Sequence, residues 1–130
     1  MIQVINRAIA PQEVLDSLKS DASGSVVMHI GVVRPSSGGE KTISVEYHVV
    51  EEEAERELSR IASDIRNKWE IQDIALYRRM GTLALGEIIL VAAVSAPHRK
   101  EAFEACQYAI ERLRGMTSVK KREIYEPLNR

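Results

Sequence analysis

Arg34 closes one apolar run and is followed at once by Pro35 and a serine–glycine stretch, Ser36 to Gly39. His98, Arg99 and Lys100 follow a second apolar run, Glu87 to Ser95, across Ala96 and Pro97. Arg114 and then Lys120, Lys121 and Arg122 come at and beyond the far end of the helix that His98 should open. The chemistry open to such residues is the holding of an anion. A guanidinium grips phosphate or carboxylate through two parallel hydrogen bonds, and the first turn of a helix offers unpaired N–H groups. Basic side chains there oppose the helix dipole by a few tenths to about 1 kcal/mol, a cost that a bound anion would remove. A lysine among cations can also give up its proton and act as a nucleophile, which arginine cannot. Each cluster alone reads equally as an exposed arginine, a solvated helix start or a solvated charge run. Convergence of the three would make a site.

The elements that must position these residues follow from periodicity. Ile2 to Ile9 reads as a short strand, and Pro11 opens a helix carrying Val14, Leu15 and Leu18. Ser20 to Gly24 is a loop, and Ser25 to Val33 suits a buried strand between Gly24 and Pro35. Ser36 to Gly39 reads as a flexible loop. Ile43, Val45 and Tyr47 alternate with polar residues as in a half-buried strand.

The clearest helix carries Ala54, Leu58, Ile61, Ala62, Ile65 and Trp69 on one stripe, with Glu51 to Glu53 at its start and Arg66 and Lys68 at its end. Ile71 to Met80 and Glu87 to Ser95 are strands, joined through Gly81 to Gly86, which adds a short strand of its own. The last long helix runs from His98 to Arg114 with Ala102, Phe103, Cys106, Ala109, Ile110 and Leu113 on its apolar face, and Gly115 stops it. Strands that follow one another without a helix point to an α+β fold.

Composition narrows the classes. The 130 residues make one domain with room for a core. A net charge of −1, from 18 basic and 19 acidic residues, argues against a general nucleic-acid binder or a membrane-surface protein. No stretch approaches a membrane span, and the N-terminus lacks a secretory signal, so the cytoplasm is the expected compartment. Cys106, the only cysteine, reads as a small core residue. His29 and His48 lack a second ligand at metal-binding spacing and read as packing or surface residues.

The blocks Ile30 to Arg34, Val45 to Tyr47, Arg66 to Trp69, Gly81 to Glu87, Ser95 to Cys106 and Lys120 to Glu123 resemble, in this order, the large (catalytic) subunit of molybdopterin synthase, the MoaE-like family. The likeness runs from Gly24 to Glu123, and Ser95 to Cys106 is its most specific part. It implies an α/β-hammerhead fold with a mixed, largely antiparallel sheet packed by helices. It also implies a homodimer inside a heterotetramer with a small ubiquitin-like sulfur-carrier subunit.

In that family the carrier's C-terminal thiocarboxylate donates sulfur to cyclic pyranopterin monophosphate (precursor Z), and two rounds build the molybdopterin dithiolene. No metal or other cofactor is implied for the enzyme itself. By position, Val32, Val33 and Arg34 would line the pterin-phosphate pocket, with Arg34 on the phosphate, and His98 and Arg99 would add anion and pterin contacts. Lys121, Arg122 and Glu123 match the family's basic–acidic segment, which makes Lys121 the expected general acid or electrostatic catalyst.

Arg114 stands where the family usually has a catalytic lysine, and Ser118, Val119 and Lys120 replace the usual proline, apolar residue and tryptophan. Arg114 can hold a phosphate or carboxylate but is a poor nucleophile and proton donor. Two readings follow: a working sulfurtransferase in which Lys120 or Lys121 supplies the amine or charge alone suffices at 114, or a catalytically weak relative that binds pterin phosphate or the small subunit without transferring sulfur. An unrelated anion-binding domain is the third.

Overall fold

Ten elements form along the chain in this computed structural model, which describes residues 1–35 and 41–127. They are β1 (Ile2–Ile5), α1 (Pro11–Leu18), β2 (Ser25–Val32), β3 (Thr42–Val49), α2 (Glu51–Lys68), β4 (Asp73–Arg79), β5 (Gly81–Ala84), β6 (Ile88–Ala96), α3 (Arg99–Arg114) and β7 (Val119–Tyr125). The loop expected at Ser36 to Gly39 lies outside the described residues.

The strands divide between two sheets. One runs β1-β4-β6-β2, and the other β5-β3-β7. Among the described residues only β1 and β4 pair in parallel; β4 with β6, β6 with β2, and both pairings of β3 are antiparallel. This is the mixed, largely antiparallel α+β architecture expected. β6 is central and covered on both faces, which explains its unbroken apolar run. Leu90, Ala92 and Val94 pack under α2 and α3 beside Leu58, Ile61, Ile65, Ala105 and Leu113, while Val91 and Ala93 pack on the opposite face with Val14 and Leu18 of α1. Leu58 is fully buried. Its truncation to alanine would cost about 2–5 kcal/mol. A third, smaller cluster of Val33, Val45, Tyr47 and Leu83 forms where the second sheet meets the end of β2.

Several expectations change. β2 is an edge strand, and Ile30 and Val32 stay 40% and 48% exposed, so the run is not fully buried. The first strand ends at Ile5, and Ile9 is buried beyond it against α1. In β3 a bulge between Thr42 and Ser44 reverses the alternation, burying Thr42 and leaving Ile43 43% exposed. Phe103 is 61% exposed, and Ala105 takes the core position next to Cys106. Lys120 to Arg122, read as a charge run after the last helix, belong to β7. The charges hid the strand because its outward residues dominate its composition.

Candidate functional site

A cleft of about 460 Å³ opens between the two sheets, beneath the C-terminal end of α3. Its walls include Val32, Val33 and Arg34 from the end of β2, Arg114 from the last turn of α3 and Lys121 from β7. Two of the three basic groups therefore meet, Arg34 from one and Arg114 with Lys121 from another, apart from the residues that open α3. No carboxylate lines the cleft among the described residues.

Each cation is placed by backbone geometry. A bulge between Gly31 and Val32 bends the end of β2. The Val33 N–H then donates to the Glu87 carbonyl at 2.9 Å, and Gly86 donates back to the Val33 carbonyl at 2.8 Å. Gly86 lies at φ +87°, a turn conformation that glycine adopts without strain. These bonds fix the point from which Arg34 projects. Arg114 ends α3, where a cation suits the helix dipole.

Lys121 is set by strand alternation. It pairs with Tyr47 across β3 and β7, and both line the cleft. Lys120 and Arg122 point to the other face, where Arg122 meets Glu46 at 3.2 Å. The structure thus brings Lys121 to the cleft and does not bring Lys120 or Arg122. Glu123, two residues on, pairs with Lys121 at 3.3 Å and accepts a 2.8 Å bond from the Tyr125 hydroxyl. The Tyr125 hydroxyl first, and then Lys121, hold the Glu123 carboxyl below its usual range against the effect of burial.

The turn from α3 into β7 is tied down by α2. Glu57 accepts from the Ser118 N–H at 2.7 Å and the Thr117 N–H at 3.2 Å. Burial would raise the Glu57 pKa, but donors of Ser118 and Thr117 outweigh it and hold the carboxyl below its ordinary value.

His98 caps α3 in an extended conformation and Arg99 is its first residue. Arg99 and Arg114 bound a helix of 16 residues, so their Cα atoms stand about 22 Å apart at 1.5 Å per residue. Neither His98 nor Arg99 lines the cleft of its own chain.

Sequence reasoning missed most of the other cleft residues, among them His29, Tyr47, Arg78 and Met116. Arg78 had a readable signal. It falls in period two with Ile74 and Leu76, both buried, so a core-facing position of β4 carries an arginine. Cys106 is 2% exposed, its thiol donates to the Ala92 carbonyl at 3.4 Å, and burial pushes its pKa up to about 11. It takes no part in the cleft. Among the described residues no group of three or more His, Cys, Asp or Glu side chains is placed to hold a metal ion. No described helix is long and apolar enough to cross a membrane.

The profile of the family described as "MoaE protein" matches residues 4–116. The molybdopterin synthase catalytic subunit of Bacillus subtilis is 36% identical over 124 residues, covering 95% of this chain and 79% of that protein. The chain spans less than two thirds of the length of the corresponding fruit-fly, rat and human proteins. The crystal structure of molybdopterin synthase from Staphylococcus aureus superposes with a TM-score of 0.90 at 33% identity, covering 95% of this chain and 90% of that one. A chain in the complex of subunits 1 and 2 of molybdopterin-converting factor from Helicobacter pylori shares the fold, with a TM-score of 0.77 at 15% identity and coverage of 95% and 88%.

Proposed function

The chain belongs to the MoaE protein family, and on that premise we propose that it is a molybdopterin synthase catalytic subunit working in the cytoplasm. It moves sulfur from the thiocarboxylated C-terminus of a small ubiquitin-like subunit to cyclic pyranopterin monophosphate. Each round leaves a carboxylate on the carrier and places one sulfur on the pterin side chain, and two rounds complete the dithiolene. The observation that carries this reading is the meeting of Arg34, Arg114 and Lys121 on one cleft that no carboxylate lines among the described residues.

In this reading Arg34 pairs the phosphate through its guanidinium fork, and Val32 and Val33 form the adjoining wall. Lys121 is the proton donor and electrostatic catalyst, and the Glu123 carboxylate 3.3 Å away holds its ammonium in place. Arg122, turned to the far face of β7, acts on the substrate only through the strand it pins to Glu46. His98 and Arg99, at the distant end of α3, complete the pocket of a second copy in a homodimer. Each end of that dimer takes one small subunit, as a heterotetramer. The Helicobacter complex of two subunits supports the docking of a small partner on this fold.

Arg114 favours one alternative strongly enough to test: a relative that binds pterin phosphate or the small subunit and transfers sulfur weakly. The deciding experiment supplies the purified chain with thiocarboxylated small subunit and precursor Z and measures dithiolene product over time. Steady formation of molybdopterin supports the synthase. Binding of both components without product establishes the weak relative instead, and failure to bind either overturns both.

A further inference from the structure

Arg78 is only 7% exposed, yet it is one of the residues that line the cleft. It continues the row of Ile74 and Leu76 toward the edge of the main core, opposite Leu90 of β6. Its Nε has no hydrogen-bond partner. No ion pair or hydrogen bond joins its guanidinium to any described residue. Its guanidinium carbon lies 5.1 Å from the centroid of the Tyr47 ring, a cation–π contact.

This is an expensive arrangement for a folded chain. Arginine keeps its proton in proteins, so burial cannot be relieved by neutralisation. Burial does push its pKa down, with the Tyr47 contact acting the other way. A ring face recovers part of the lost hydration but leaves the in-plane Nε–H unmet. The other charged side chains on the cleft among the described residues, Arg34, Arg114 and Lys121, carry the same sign, so none of them can pair with it. Buried charges are ordinarily paired, and here the missing partner must come from outside the chain.

We propose that Arg78 is the inner oxyanion-binding residue of the cleft, oriented by the ring of Tyr47, and that it takes a compact carboxylate or phosphate through its planar fork. The proposal goes beyond the sulfur-transfer reading, since it requires an oxyanion and neither turnover nor a sulfur donor. Arg34, Arg114 and Lys121 are exposed and stand at the rim. Arg78 is enclosed, so its ligand must shed water and enter, which favours a small planar or tetrahedral group over a bulky one.

The test follows the side-chain Nε–H signal of Arg78 by nitrogen-15 NMR in the intact chain. Its signal is assigned as the one missing in both Arg78→Lys and Arg78→Gln. Three probes are titrated: inorganic phosphate, N-acetyl-glycylglycine with a free carboxylate, and the same dipeptide as its amide. The expected result is a saturable shift with phosphate, the free carboxylate or both, none with the amide, and at least tenfold weaker binding by Arg78→Gln. A shift with phosphate alone identifies a phosphorylated ligand, and one with the carboxylate alone identifies a peptide terminus. Arg78→Gln should also melt no lower than the wild type without anion, because it removes an unpaired buried charge. An unmoved Arg78 signal, or unchanged anion affinity in a folded Arg78→Gln, overturns the proposal even if sulfur transfer is found.

Discussion

Lys121 and Glu123 lie two residues apart on one face of β7, with 3.3 Å between the ammonium and a carboxylate oxygen. The strand's alternation puts both on one face, and Tyr125 continues the row with its hydroxyl on Glu123 at 2.8 Å. The pair presents a fixed ammonium to the cleft. Lys121→Ala should lower the rate of dithiolene formation by about 10²–10⁴-fold, the usual contribution of a positioned acid. Glu123→Gln should lower it less, since the amine remains and only its tether is weakened. Single-turnover kinetics with thiocarboxylated carrier measure both.

Arg114 supplies charge at the cleft but no amine that can be neutral near pH 7. If charge suffices, Arg114→Lys changes the rate less than threefold. If the weak-relative reading holds, the same replacement raises sulfur transfer by about tenfold or more, the range of a regained acid–base group. The comparison is made at saturating precursor Z, so that altered binding does not mask the chemical step.

The distance between Arg99 and Arg114 along α3 makes a mixing experiment informative. Arg99→Ala and Lys121→Ala copies, each inactive alone, should regain about one quarter of wild-type activity when refolded together as dimers. Half of such dimers are mixed, and each mixed dimer carries one intact site. Mixed preparations no more active than the separate variants would place Arg99 outside the partner's pocket.

Glu57 ties α2 to the turn before β7. Glu57→Ala leaves the Ser118 N–H without its acceptor and should cost about 1–3 kcal/mol, with a fall in activity because Lys121 loses its anchor. The folded-state pKa of Glu57 is lowered, so its contribution is complete above the ordinary value of 4.5 and is lost as pH falls through the folded value. The stability gap between wild type and Glu57→Gln should therefore narrow on acidification below 4.5. Urea denaturation across that range reads it directly.

Cys106, buried with its pKa near 11, should resist iodoacetamide in the native protein at neutral pH. Labelling should track global unfolding in denaturant. Cys106→Ala should leave sulfur transfer within twofold of wild type, since the thiol meets backbone groups of Ala92 and His29 and core neighbours and does not line the cleft.

Long periodic segments were legible because the stripe of α2 and the unbroken run of β6 each permit one mode of burial. Local signals failed where a neighbour decided the outcome. Ile43 turned outward at a bulge imposed by pairing with β7, and Phe103 stayed exposed although it follows the buried Ala102 on α3. β7 itself was hidden because three of its residues are cations, and because its pairing partner β3 is far away along the chain.

The sequence by itself determined the charge types available, the helices, the α+β class and the likeness to one family. Tertiary structure alone decided which cations share a cleft. Strand alternation admitted Lys121 and turned Lys120 and Arg122 away, while the length of α3 carried Arg99 out of reach of its own chain's cleft. It also left Arg78 without an ion-pair partner among the described residues; period-two spacing with Ile74 and Leu76 marks the position as core-facing, but which groups pack around it is set by the other elements.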